Sequence, residues 1–311
     1  MITKVLLLGG GGFVGQNLAH TLIADGFSVT VIDQYTDAIR QNAGLATVAC
    51  YDCALGDVAG VLAVIEEQHI ECVVNLASSL MPSSNFPMFI QDLEQVVKPS
   101  FALLVELAAR GIRYVFFSSG GTIYGHGGPG VIAESAKCEP INFYGQSKKT
   151  MEDFIAFAGR TCGLNYLIIR PSNPYGRYQN PLKKQGFITV ALHRILNGLP
   201  VEIWGDGSVV RDYIHIDDLT QAVSLLLRSE VSNEIFNVGS GQGHAINELL
   251  TVLSKITGRP VDAQYQPGRK VDVPRIVLDV SKLQSFIPYT PLDLMAGLEQ
   301  YYDHVRSRNA R

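Results

Sequence analysis

The seven residues Gly9-Gly10-Gly11-Gly12-Phe13-Val14-Gly15 constrain this chain more than any other stretch. An unbroken apolar run, Val5-Leu6-Leu7-Leu8, precedes them. Apolar residues at helical spacing, Val14, Leu18, Leu22 and Ile23, follow. Strand, glycine turn and helix in that order open a nucleotide-binding βαβ unit. Without β-carbons the backbone turns tightly and its N–H groups approach a pyrophosphate, while the helix N-terminus adds positive potential. Two overlapping patterns fit, Gly10-x-Gly12-x-x-Gly15 and Gly9-x-x-Gly12-x-x-Gly15. Asp33 ends the next apolar run, about 20 residues on, where a carboxylate binds ribose hydroxyls and repels a 2′-phosphate. The expected cofactor is therefore NAD rather than NADP. A solvated strand end is the alternative for Asp33.

The rhythm continues. Strands are expected over 46–49, 72–76, 114–117 and 165–169, and helices over 58–67, 90–110 and 144–160. Repeated βαβ units imply an α/β fold with a doubly wound, mostly parallel Rossmann sheet. After Arg170-Pro171 prolines and glycines cluster, and helices over 188–196, 219–227, 246–256 and 292–305 alternate with short strands. Residues 1–170 are expected to form the NAD-binding domain. Residues 171–311 are expected to form a smaller C-terminal α/β substrate lobe, with some segments crossing back.

The net charge is −4 with no polybasic run, which argues against nucleic acid or an anionic membrane surface as partner. No apolar stretch reaches the length of a membrane span. The apolar start runs into glycines, which suits a buried strand better than an export signal, so a cytoplasmic protein is expected. Five cysteines, an odd number, argue against a disulfide framework. Cys50-Tyr51-Asp52-Cys53 has no second ligand pair, and the histidines show no ligand spacing, so no metal is expected.

Tyr144-Gly145-Gln146-Ser147-Lys148 places a phenol and an ammonium on one helical face. A free phenol, with a pKa near ~10, is a poor base at neutral pH. The cation is expected to favour the phenolate, and a drop of about three pH units corresponds to roughly 4 kcal/mol. Such a phenolate takes a proton from a substrate hydroxyl while the adjoining carbon gives hydride to a nicotinamide.

Several further motifs follow in order: Asn75-Leu76-Ala77, the segment from Ser118-Ser119-Gly120 to Gly125, Arg170-Pro171-Ser172-Asn173, Arg211-Asp212-Tyr213, and Arg269 ahead of Asp272-Val273-Pro274-Arg275. With the glycine loop and the Tyr–Lys pair, the chain resembles the extended short-chain dehydrogenase/reductase family over nearly its whole length. The nucleotide-sugar 4-epimerase and dehydratase branch is the nearest likeness. The resemblance implies cofactor contacts from Gly9, Gly12, Phe13, Val14, Gly15, Asp33, Asp52, Leu76, Ala77, Ser118, Tyr144, Lys148 and Pro171. It implies Tyr144 and Lys148 as the catalytic pair, and Asn173, Arg211 and Arg269 as holders of the sugar-nucleotide diphosphate. Arginine forks suit phosphate oxygens.

The departures are informative. Members of the family often carry a Ser or Thr where this chain has Gly120. Strand alternation puts Thr122 on the face of Gly120, so Thr122 is preferred to Ser119 as the assisting hydroxyl. Gly121-Thr122 stands where the dehydratase branch carries Asp-Glu, which argues against a dehydratase. Ile276 stands where hexose-specific 4-epimerases carry a bulky aromatic. Room for an N-acetyl group and a plain core isoleucine are equally good readings. The segment 78–89 diverges from the family loop, and His126 lies in a glycine-rich loop.

The expected activity is NAD-dependent 4-epimerisation of a UDP-linked sugar, in a hexose, N-acetyl or uronic acid form, for surface polysaccharide synthesis. Arg177 keeps a uronic acid open. A 4-keto reductase or decarboxylase of the same family is the alternative, and a non-catalytic NAD-binding sensor is the alternative of another class. Apolar residues on the 90–110 helix (Phe101, Leu104, Val105) and the Tyr144 helix (Phe154, Ile155, Phe157) suit the homodimeric four-helix bundle of the family. Burial within one chain explains the same residues.

Overall fold

Val5 and Leu7 point to one side of the first strand, and Leu6 and Leu8 to the other, so this strand has to be covered twice. The computed structural model, which describes residues 2–183, 185–268 and 273–309, shows both covers. Strand β1 (Lys4–Leu8) leads through the glycine turn to α1 (Phe13–Ala24) and β2 (Ser28–Asp33). Next come α2 (Asp37–Arg40), β3 (Ala49–Asp52), α3 (Val58–Gln68) and β4 (Cys72–Asn75). Helices α4 (Phe86–Asp92) and α5 (Lys98–Ala109) precede β5 (Arg113–Phe117), and α6 (Phe143–Cys162) precedes β6 (Tyr166–Pro171).

The remaining chain forms β7 (Asn173–Tyr175), α7 (Phe187–Leu196), β8 (Val201–Trp204), β9 (Val210–His215), α8 (Ile216–Arg228) and β10 (Glu234–Val238). It ends with β11 (Gly243–Ala245), α9 (Ile246–Thr257), β12 (Ala263–Gln266), β13 (Arg275–Ile276), α10 (Ser281–Phe286) and α11 (Leu294–Asn309).

The main sheet runs β10-β6-β5-β4-β1-β2-β3, and every pairing in it is parallel. On one face Val5, Leu7, Val31, Val74 and Ile169 pack with Leu18 and Leu22 of α1 and Leu219 and Val223 of α8. On the other, Leu6, Leu8, Val73, Phe116 and Ile168 pack with Ile65 of α3, Leu104 of α5 and Ile155 of α6. After residue 171, β10 completes the sheet beside β6, and Thr220 of α8 hydrogen-bonds Thr21 of α1 at 2.8 Å. The rest of the second half builds a small sheet around β9, flanked by β7, β11 and β13, and a separate β8–β12 pair.

Two elements differ from the sequence expectation. The third strand begins at Ala49, opposite Thr30, because the segment before it closes a 3₁₀ turn (Ala43–Leu45) capped by Asn42. The long helix begins at Phe86, where the Asn85 side chain accepts the Met88 N–H. It widens into a π turn over Leu93–Val97, directly ahead of Pro99. Proline has no N–H for the ladder, and a wide turn absorbs the lost bond.

Helix α6 is fixed to β6 by a buried ion pair. Arg170 Nε and Nη2 donate to the two Glu152 oxygens at 3.0 and 2.6 Å. Removing one member leaves the other charge buried alone, at a cost of about 3–5 kcal/mol. Glu152→Ala is accordingly expected to lose stability by that amount, as read from the urea midpoint at unchanged slope. A shift equivalent to less than ~1 kcal/mol would contradict this.

Candidate active site

In open parallel sheets, ligands bind outside the carboxyl ends of the strands where the winding reverses, here between β1 and β4. A cleft of about 860 Å³ opens there. It brings together Gly9, Gly12, Phe13, Val14, Gly15, Leu76, Ser118, Ser119, Thr122, Tyr144, Lys148, Pro171, Asn173 and Arg211 on one lining. Asp33, Asp52, Ala77 and Ile276 do not belong to that lining.

The glycines of the loop do different work. Gly9 has φ +76°, and a β-carbon on it would lie 2.9 Å from the backbone of Ala77. A β-carbon on Gly15 would collide with the backbone of Gly10. Gly12, the residue before α1, has only the Gly9 oxygen near it, at 3.6 Å, and no side chain caps the helix there. The helix N-terminus is thus left open toward the cleft, which suits an anionic group. Asp33 braces the turn: its Oδ2 accepts the Gly11 N–H at 2.9 Å and its Oδ1 the Tyr35 N–H at 3.1 Å. Asp52 lies beside it in register. It accepts the Thr36 hydroxyl at 2.6 Å and pairs with Arg40 at 2.8 Å. The Thr36 hydroxyl is the main reason its carboxyl lies below the usual range.

Tyr144 and Lys148 sit in the first turns of α6, whose start is fixed by Asn142 Oδ1 accepting the Gly145 N–H at 2.8 Å. The Lys148 ammonium lies 4.8 Å over the Phe116 ring and 5.7 Å from the centre of the Tyr144 ring. Burial lowers Lys148 to about 8, opposed by the charges of Asp92 and Glu152. The expectation of a lowered phenol is reversed in this structure. Burial pushes the Tyr144 hydroxyl up to about 12, and the group that pulls it down is Ser119, through a side-chain hydrogen bond. Loss of water outweighs the pull of Ser119, and the Lys148 ammonium stands 5.7 Å from the ring centre.

The strand alternation that favoured Thr122 over Ser119 is absent. Strand β5 ends at Phe117, and residues 120–126 form turns in which Ser119 O accepts the Ile123 N–H at 3.1 Å. Alternation therefore does not extend to Thr122, and Ser119 and Thr122 both line the cleft with Tyr144. Gly120 has a packing reason. A β-carbon there would lie 2.6 Å from Leu278 Cδ1 and 3.0 Å from the Arg170 oxygen, leaving no room for Ser or Thr.

The Ser118 and Thr122 hydroxyls are buried without a hydrogen-bond partner, and both residues line the cleft. Unmet polar groups of this kind call for a polar occupant. With the open end of α1, they make the cleft fit a dinucleotide and a sugar together.

On the other side, Asn173 of β7 donates to the Asp212 oxygen at 2.8 Å, and Arg211 of β9 lies between β11 and β13. Arg269 lies outside the described residues. Ile276 is buried with Ile123, Tyr124, Ile132 and Leu278, so the core position is the one observed. Arg177 is engaged elsewhere, by Asn17 Oδ1 at 2.8 Å and Asp217 at 3.0 Å. His126 is exposed. Among the described residues no group of acids, histidines and cysteines could hold a metal, and no helix is long and apolar enough to cross a membrane.

Sequence reasoning missed Trp204, the chain's one tryptophan. It lines the cleft with 43% of its surface exposed. A large ring left open before the Gly205-Asp206-Gly207 turn was the available signal.

A nucleotide-sized cleft at the switch point, with a Tyr–Lys pair on the adjoining helix, defines a dinucleotide-dependent enzyme of the short-chain dehydrogenase/reductase type. Residues 5–239 match the NAD dependent epimerase/dehydratase family, and the chain belongs to that family, whose cofactor is NAD. A UDP-glucose 4-epimerase of Corynebacterium glutamicum is 30% identical over 93% of this chain and 91% of its own. The structure of a Thermotoga maritima UDP-glucose 4-epimerase with UDP-glucose has a TM-score of 0.91 and 30% identity, covering 99% of this chain and 100% of that one. The Thermus thermophilus enzyme, in complex with NAD, has a TM-score of 0.89 and 30% identity, covering 98% and 99%.

The pull of Ser119 on the Tyr144 hydroxyl makes a clear demand. Ser119→Ala is expected to lower kcat about 10²-fold with NAD still bound, and Thr122→Val to cost less. Steady-state kinetics on the two variants would refute the assignment if the order were reversed.

Proposed function

We propose that this chain is an NAD-dependent 4-epimerase of a UDP-linked hexose, with UDP-glucose and UDP-galactose the first pair to test. The observation that carries the reading is Tyr144 and the buried Lys148 together on α6, in a cleft whose lining also holds Ser119, Asn173 and Arg211. Arg211 and Asn173 hold the diphosphate, and the N–H groups of the glycine loop hold the pyrophosphate of the dinucleotide. Asp33 binds the adenosine ribose. NAD, held there, would supply reversible hydride-acceptor chemistry for C4 of the sugar.

Tyr144 moves the proton of the C4 hydroxyl. Ser119 orients the phenol and supports its anion, and the Lys148 ammonium stabilises the same charge from below. Glycine and threonine at 121 and 122 leave the segment without the acid pair that elimination of water would use. The engagement of Arg177 by Asn17 and Asp217 leaves it no carboxylate of a uronic acid to meet. The product is an activated sugar donor of the kind that surface polysaccharide synthesis consumes.

Incubation with a panel of UDP-sugars, without added reductant, tests the reading by NMR. Interconversion of C4 epimers is expected, and Tyr144→Phe is expected to retain NAD while kcat falls at least about 10²-fold. Product formed only with stoichiometric added NADH would overturn it in favour of a reductase.

We also propose a homodimer through α5 and α6. Phe101 and Phe154 stack across these helices with centroids 3.7 Å apart, and Val105 and Phe157 remain 47% and 48% exposed. Exposed apolar side chains along paired helices suit a second copy forming a four-helix bundle. Phe157→Asp is expected to sediment as a monomer where the parent chain sediments as a dimer. A monomeric parent chain would refute the proposal.

A further inference from the structure

One buried carboxylate near the catalytic pair has no part in the reaction above. Asp92, the last residue of α4, is 1% exposed. Ser147 Oγ donates to its Oδ2 at 2.5 Å, and Ser79 Oγ donates to its Oδ1 at 2.6 Å. Ser147 directly precedes Lys148 on α6, and Ser79 lines the cleft. One side chain therefore ties the catalytic helix to the cleft loop.

A buried carboxylate needs hydrogen bonds and an opposite charge. The two serines supply bonds without charge. The charged and titratable groups around Lys148 come from every element packed against it. Tyr144 and Glu152 share its helix and Asp92 approaches from α4, while Arg170 of β6 lies behind Glu152, with Tyr124 of the following turn bonded to that guanidinium. Glu152 already takes both donors of the Arg170 fork. Asp92 is bonded to two hydroxyls, one of them on the residue next to Lys148, and it acts on the ammonium through space rather than by direct contact.

We infer that Asp92 is a positioning residue that keeps the buried Lys148 side chain protonated and locks α6 to the cleft loop through Ser147 and Ser79. Its catalytic consequence rests on the proposed roles of Tyr144 and Lys148. The sign is fixed by electrostatics: burial favours the neutral amine, and a facing carboxylate favours the ammonium. Removing that charge makes Lys148 lose its proton at lower pH, so activity declines at lower pH on the alkaline side.

The test uses the full-length protein with NAD and does not depend on turnover. Lysine side chains are labelled with ¹³C, and the Lys148 signal is identified by its loss in Lys148→Met. In Asp92→Asn, which keeps hydrogen-bonding capacity without the charge, Lys148 is expected to titrate about one pH unit lower. The alkaline limb of kcat should move by the same amount, with KM within about twofold. An unmoved Lys148 titration overturns the inference.

If Asp92→Asn does not fold, the Ser79→Ala/Ser147→Ala double variant keeps the charge and removes both tethers. It is expected to lose roughly tenfold in kcat while retaining NAD, and parent-like kcat overturns the inference. A parent protein that turns over no UDP-sugar would refute the proposed function, and the Lys148 titration would still decide the role of Asp92.

Discussion

Taking a guanidinium and a carboxylate out of water costs several kcal/mol for each unless they meet in good geometry with their remaining bonds satisfied. Arg170 and Glu152 meet that condition. The fork holds both carboxylate oxygens, and the remaining guanidinium nitrogen donates to the Tyr124 hydroxyl at 2.9 Å and the Glu134 oxygen at 3.1 Å. Tyr124 in turn donates to Asn237 of β10 at 2.6 Å. The network thus joins the catalytic helix, the strand that leads into Pro171 and Asn173, the turn after Ser119 and the last strand of the sheet. Elements on both sides of the cleft are thereby tied to one ion pair.

The catalytic pair lives under a different constraint. Burial pushes the phenol up and the ammonium down, so one cause drives both groups toward their neutral forms. The chain resists it locally, with a hydroxyl for the phenol and carboxylates for the lysine. Such a pair is poised by small polar groups nearby, and a lost hydroxyl or acid tells on chemistry more than on fold.

Legibility in the sequence followed how local the physics was. The glycine turn could be read because steric collisions at Gly9 and Gly15 are settled within a few residues or against the adjoining strand end. The parallel sheet could be read from apolar runs buried on both faces. Tyr144 and Lys148 could be read because helical spacing joins them. The turn that carries Thr122 could not, since it depends on where β5 stops, and that is set by contacts of the turn. The late strand β3 and the π turn before Pro99 were hidden for the same reason. Ile276 had two equal readings in one dimension, and in three it packs with Ile123, Tyr124, Ile132 and Leu278. Asp92 had no signature at all: a single acid acquires meaning from serines 13 residues before it and 55 residues after it.

The placement of β10 has a consequence for how the molecule is born. Residues 172–233 leave the main sheet after β6, and the next strand of that sheet, β10, pairs alongside it. During synthesis β6 therefore emerges as an open edge, with a row of unpaired backbone donors and acceptors that invites association with other chains. That edge stays uncovered until much of the second lobe has left the ribosome. The second lobe is, in vectorial terms, an intermission in the building of the main sheet. The growing chain has to be protected through it.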